Sequence, residues 1–101
     1  MYRCKITVLK KTFQEDVAKE YVSDPNYGPC PVFEEGQSFV TGGIFGTDMP
    51  EGFCSGAWQA LVTPVSVLAG GGKVLGVDDV HIACCTDGCR PVIFRLERVE
   101  E

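Results

Sequence analysis

Cysteine is the residue type best suited to chemistry in this chain, and six cysteines stand among its 101 residues. They are Cys4, Cys30, Cys54, Cys84, Cys85 and Cys89. Six cysteines in 101 residues are a lower cysteine content than the roughly 8–10% typical of small disulfide scaffolds. In a reducing compartment, such a set of thiols indicates metal binding, thiol redox chemistry or the packing of small apolar side chains.

Metal binding would use Cys30, Cys54, Cys84 and Cys85 to hold zinc or an iron–sulfur cluster. Such sites are most recognisable as paired C-x-x-C knuckles, which this sequence lacks. Neighbouring residues of a strand point to opposite faces, so Cys84 and Cys85 share one metal only at a bulge or a strand end. The spacing favours the absence of a metal but leaves this interpretation open.

Thiol chemistry is the second interpretation, and it centres on Cys54. This residue directly precedes Ser55, the predicted N-cap of a helix, where backbone N–H groups and the helix dipole favour a thiolate. Cys30 lies between two prolines on a stiff segment and is the candidate resolving thiol. Arg90 is a candidate contact for an anion or a thiolate. The alternative, that these cysteines are small buried hydrophobes, stays open.

Two further catalytic patterns are weak. The single histidine, His81, is required for a Cys–His dyad, but its place on a predicted strand favours a structural role. Residues 52–56 match G-x-S-x-G with Cys54 in the serine position. A nucleophile elbow must follow a strand of a parallel sheet, whereas a glycine-rich loop precedes this run. The sequence alone therefore does not decide whether the protein is an enzyme.

The elements that position these residues predict a single α+β domain over residues 1–101, with helices on one face of a small, mainly antiparallel sheet. The predicted order is β-α-β-α-β-β: strand 2–9, helix 13–22 with a Thr12–Glu15 capping box, strand 37–41, helix 55–69, and strands 80–85 and 92–99. Pro64 is expected to kink or split the second helix. Asp87-Gly88 predicts a two-residue turn that makes the last two strands a C-terminal hairpin and places His81 opposite Phe94.

Charge and hydropathy exclude several classes of partner. The net charge of −5 argues against nucleic-acid binding, which needs a basic face. No apolar run approaches the roughly 20 residues of a membrane span, and the apolar stretch Ile6–Leu9 is too short for a signal peptide. A cytoplasmic protein is therefore expected. A protein partner or a second copy of the chain remains open.

Four runs of sequence together resemble a family of small uncharacterised proteins found mainly in anaerobic bacteria and archaea. The runs are KITVLKKTF, GPCPVFEEGQSF, MPEGFCSGAW and ACCTDGCRPVIF. The resemblance covers nearly the whole chain but implies no activity. It includes the candidate metal ligands in a cysteine signature and leaves Cys4 and Cys89 outside it. The resemblance implies an aromatic-rich start to the second helix. This chain has Gly56 there and so departs from the family pattern at that position.

Two hypotheses from different functional classes follow. In the first, Cys54, Cys30 and one or both of Cys84 and Cys85 converge to bind a metal or to perform thiol redox chemistry. In the second, the protein is a non-catalytic interaction or self-associating domain whose cysteines are structural. The positions of the sulfur atoms in the fold discriminate between them.

Overall fold

An antiparallel sheet of four strands, in the order β2-β1-β4-β3, organises the fold. A computed structural model describes residues 2–75 and 79–100. The strands are β1 (Tyr2–Lys11), β2 (Ser38–Val40), β3 (Val80–Cys84) and β4 (Val92–Glu100). The helices are α1 (Glu15–Tyr21) and α2 (Ser55–Ala69), and a 3-10 turn covers Ile44–Gly46. The predicted α+β class, element order and C-terminal strand pair are confirmed.

The core lies between α2 and one face of the sheet. Because side chains alternate along a strand, β1 and β4 each direct every second residue into it. These residues are Cys4, Ile6, Val8, Val92, Phe94 and Leu96. The buried face of α2 contributes Ala57, Leu61, Val65, Leu68 and Ala69. Among residues 2–75 and 79–100, no helix is long and apolar enough to cross a membrane.

Helix α2 continues through Pro64, so of the two expected outcomes, a kink or a split, the split does not occur. Leu61 and Val65, on either side of the proline, are both fully buried, so both halves of the helix pack into the core. The N-cap is Cys54, one residue earlier than predicted. The helix ends at Gly70 as the glycine run predicts.

Helix α1 differs from its prediction in its start and its burial. The Thr12–Glu15 capping box is wrong, because the Thr12 hydroxyl donates instead to the Pro91 carbonyl, at 2.7 Å. β1 extends to Lys11, which ties Thr12 to the end of the sheet. The helix was expected to pack on one face of the sheet, but it buries little of its apolar surface, since Val17 is 40% and Tyr21 77% accessible.

The hairpin of β3 and β4 has a different register from the one that Asp87-Gly88 predicts. Cys84 pairs with Ile93 and His81 with Leu96, so the two-residue turn is wrong. Asp87 Oδ1 instead accepts the backbone N–H groups of Cys89 at 2.9 Å and Arg90 at 3.3 Å, which stabilises a longer turn. The register moves by an even number of residues, so each side chain keeps its predicted face.

Candidate thiol cleft

Three segments enclose a cleft of about 200 Å³ beside the first turn of α2. One wall is the loop that carries Cys30 and Phe33, and the second is the start of α2 with Cys54 and Gly56. The turn between β3 and β4 supplies the third wall, which includes Cys85, Thr86, Asp87 and Arg90. We call this space, defined by Cys30, Cys54, Cys85 and Arg90, the thiol cleft.

Cys54 enters the thiol cleft from the N-terminus of α2. Its backbone is extended, with φ −73° and ψ 123°, and its side chain makes no capping hydrogen bond. Its carbonyl accepts the Trp58 N–H at 2.9 Å, so the residue is fixed by its backbone. A side chain at Gly56 would begin 3.8 Å from Cys54 Sγ and 3.6 Å from Thr86 Oγ1. The absence of a side chain at Gly56 therefore keeps the space beside this sulfur open.

Cys85 follows the last residue of β3 on the helix-facing side. Its Sγ accepts the Val92 N–H at 3.3 Å, and its own N–H donates to the Val92 carbonyl at 3.1 Å. These bonds hold the sulfur at the floor of the thiol cleft. The sequence presented Cys84 and Cys85 as equal candidates, and strand alternation showed only that they face opposite ways. Cys85 shares a strand face with Ala83, and both pack against the core. This shared apolar face is the sequence feature that distinguishes Cys85 from Cys84 as the residue of the thiol cleft.

Arg90 forms the polar rim of the thiol cleft. Its Nε donates to Asp87 Oδ2 at 2.9 Å, and its guanidinium lies 4.6 Å from the centre of the Tyr27 ring. The hydrogen bond to Asp87 raises the pKa of Arg90. Partial burial opposes ionisation of Asp87, but its hydrogen bonds from Arg90 and Cys89 hold its pKa below the ordinary value. Cys30 is near enough to interact with the Arg90 charge.

The other candidate residues lie outside the thiol cleft. Cys84 is exposed on the opposite face of β3, and Cys89 is half-buried, with a carbonyl that accepts the Gln14 N–H. His81 pairs with Leu96 near the start of β3 and does not line the thiol cleft, so no Cys–His dyad forms there. Cys4 is fully buried in the core.

The predicted metal set does not come together. Of Cys30, Cys54, Cys84 and Cys85, the regular alternation of β3 places Cys84 on the other side of the sheet. Within residues 2–75 and 79–100, no three histidine, cysteine, aspartate or glutamate side chains are grouped so that they could hold a metal ion. Cys30, Cys54 and Cys85 line one open cleft without forming such a group.

Comparison with known proteins points to no function, so the function of the chain is inferred from the geometry of the cleft. No protein-family model, curated protein or solved structure matches the chain. The resemblance of the four sequence runs to a family of uncharacterised proteins therefore stays a prediction.

Cys4 provides a test of the core by its pH dependence. Burial raises the pKa of Cys4 to about 11, with a smaller opposing effect of a backbone hydrogen bond. The pKa of the Cys4 thiol is higher in the folded protein than in the unfolded chain. The contribution of this protonated thiol to the free energy of unfolding is therefore complete below pH 9 and is lost as the pH rises towards 11. Between these values, we expect the wild type to lose about 2–3 kcal/mol more unfolding free energy than Cys4→Ala. Parallel urea titrations would contradict this if the two proteins lose stability equally.

Proposed function

We propose that the thiol cleft performs thiol–disulfide exchange with a small disulfide. The observation that carries this proposal is the convergence of Cys30, Cys54 and Cys85, which three separate segments bring to one open space. Cysteines used only for packing need no such opening. Cys4 illustrates the packing role, since it is fully enclosed and its raised pKa keeps it protonated.

Cys54 is the nucleophile in this proposal. Its thiolate attacks one sulfur of the disulfide, a Cys54–S–S–R bond forms, and the second sulfur leaves as a thiolate that takes up a proton. Cys54 is the N-cap residue of α2, so the attacking sulfur lies at the start of the helix. This position adds to the shared cleft of the three thiols and does not replace it.

Cys30 is the resolving thiol. Its thiolate attacks the Cys54 sulfur of the mixed disulfide, forms a Cys30–Cys54 bond and releases the second R–S group as a thiol. Two protein thiols are thereby oxidised by two electrons, and one external disulfide is reduced to two thiols. Cys30 lies in the segment between α1 and β2, outside the helices and strands, and its side chain lines the same cleft as Cys54.

The cleft residues also share an origin in the sequence. All of them come from three of the runs on which the family resemblance rests, namely GPCPVFEEGQSF, MPEGFCSGAW and ACCTDGCRPVIF. These runs are far apart in the chain and meet at this one place in the fold. Cys4, outside this meeting point, belongs to the core instead.

The test is exchange with hydroxyethyl disulfide, a neutral probe, followed by mass mapping of the modified cysteines. We expect Cys54 to form a mixed disulfide about ten times faster than the exposed Cys84, followed by a Cys30–Cys54 bond. Cys30→Ser should stop at the mixed disulfide on Cys54. Cys54→Ser should lose the fast reaction.

The matched control is Cys84→Ser, which removes an exposed cysteine outside the thiol cleft and should leave the fast reaction unchanged. A Cys54 that reacts no faster than Cys84 in the folded protein would overturn the proposal. So would a fast reaction that persists at the same rate in urea, because it would not depend on the fold.

The interaction-domain hypothesis rests on a different part of the surface. Ile44 and Phe45, in the 3-10 turn, are exposed, and Phe45 holds a left-handed backbone conformation with φ 54°. Exposed apolar residues at a strained turn are typical of an interaction surface. Sedimentation of the protein at several concentrations tests for self-association.

A further inference from the structure

We infer that Arg90 makes the thiol cleft selective for disulfides and electrophiles that carry a carboxylate. This inference rests on the proposed function and names its substrate class. It depends on the position of Arg90 among the three thiols, on the contacts that fix its side chain, and on the size of the cleft.

The Arg90 side chain is held before any ligand arrives. Nε is bonded to Asp87 at 2.9 Å, and the guanidinium lies over the Tyr27 ring at 4.6 Å from its centre. Asp87 is fixed in turn by the backbone N–H groups of Cys89 and Arg90. A guanidinium restrained in this way loses little conformational freedom when it binds an anion, which favours affinity.

The donors of Arg90 are only partly used. Over residues 2–75 and 79–100, the Nε contact is the one hydrogen bond made by this side chain, so both terminal amino groups keep their donors. A planar guanidinium matches the two oxygens of a carboxylate. The Asp87 carboxylate is already occupied, because Oδ1 accepts two backbone N–H groups and Oδ2 accepts Nε.

Charge gives Arg90 a clear local effect. The chain carries a net charge of −5, which repels anions in general. Within residues 2–75 and 79–100, Arg90 is the one lysine or arginine that lines the thiol cleft, and it is paired with Asp87 in the same lining. The terminal amino groups of Arg90 are therefore the donors in this cleft that can attract an anionic substrate towards the thiols.

The size of the cleft limits the substrate to small molecules. Its volume of about 200 Å³ is below the roughly 300–1,000 Å³ of sites for drug-sized ligands. Gly56 adds no side chain to the space beside Cys54. The substrate class that fits is a short disulfide whose arms end in carboxylates.

The experiment compares two alkylating reagents of the same size, anionic iodoacetate and neutral iodoacetamide, by their rates at Cys54. Arg90→Gln should lower the iodoacetate-to-iodoacetamide rate ratio about tenfold relative to the wild type. Arg90→Lys keeps the positive charge but loses the planar guanidinium. Its iodoacetate-to-iodoacetamide rate ratio should therefore lie between those of the wild type and Arg90→Gln. Arg95→Gln removes an arginine from outside the cleft and should leave the ratio unchanged.

A second pair of probes uses the disulfides themselves. Dithiodiglycolate, with two carboxylates, should exchange with the wild type faster than cystamine, with two amines, and Arg90→Gln should remove this preference. An unchanged rate ratio in Arg90→Gln with intact exchange would overturn the role of Arg90 and leave the proposed function standing. Failure of Cys54 to exchange with the neutral hydroxyethyl disulfide would instead remove the proposed function.

Discussion

Replacement of Phe33 by alanine should lower the free energy of unfolding by about 3–5 kcal/mol. Phe33 is 1% exposed, although it belongs to the loop between α1 and β2. Its ring lies 5.0 Å from the ring of Phe53 and 5.3 Å from that of Phe94, the latter edge-on. Alanine would leave a cavity among these rings and would remove their edge-to-face contacts.

The same substitution should disturb the thiol cleft, because Phe33 also lines it. The buried ring anchors the loop that carries Cys30, whose position otherwise depends on contacts at its own half-buried side chain. We therefore expect Phe33→Ala to slow formation of the Cys30–Cys54 bond more than the first attack on Cys54. Phe33→Leu, which retains more of the buried volume, should lose less stability and keep the fold for the exchange measurement.

Val32→Ala is the matched control for stability, since Val32 is the adjacent residue and is 53% exposed. Its cost should be within about 0.5 kcal/mol. Urea unfolding of the three variants measures the differences. A loss below about 1 kcal/mol for Phe33→Ala would show that the aromatic cluster around Phe33 does not hold this loop.

The sequence predicts the regular elements well where alternation or helical periodicity decides burial. Cys4, Ile6 and Val8 in β1 are buried as their spacing predicts, and Leu61 and Val65 lie on the inner face of α2. Such patterns follow from strand and helix geometry, in which residue spacing determines the face. These predictions need no knowledge of what packs opposite.

The errors occur where a local pattern has a competing hydrogen-bond partner. Thr12 has capping-box spacing with Glu15, but the Pro91 carbonyl takes its hydroxyl hydrogen bond. Asp87-Gly88 is a strong local turn pattern, yet bonds from the Cys89 and Arg90 N–H groups to Asp87 stabilise a longer connection. The Pro91 partner of Thr12 cannot be identified from local spacing, because it depends on the completed sheet, whereas the Asp87 contacts lie within the turn itself.

The thiol cleft was predictable in its residues but not in its shape. Cys30, Cys54 and Arg90 were candidates from their local surroundings, and the structure brings them to one space. The choice of Cys85 over Cys84 required the strand register, because only the inner residue can reach α2. Strand alternation also separates Cys84 from the other three cysteines of the predicted metal set.

Gly46 is the position at which one added methyl group should have the second large effect on stability. Its φ of +65° is in the left-handed region, which costs a residue with a side chain about 1–2 kcal/mol. A Cβ there would also lie 2.6 Å from Thr41 Oγ1 and 3.3 Å from Ala69 Cβ. Thr41 is fully buried, and its Oγ1 accepts the Cys4 N–H at 3.2 Å, so displacing it breaks a contact with β1.

Gly46→Ala should therefore lower the free energy of unfolding by about 2–5 kcal/mol, the sum of backbone strain and overpacking. Gly36→Ala separates the two causes, because Gly36 also has a left-handed φ, +87°, but no atom within 4 Å of an added Cβ. It should lose only about 1–2 kcal/mol. Equal losses in urea unfolding would show that strain alone acts at Gly46. A larger loss at Gly46 would show that the turn after β2 is held by close packing against Thr41 and α2.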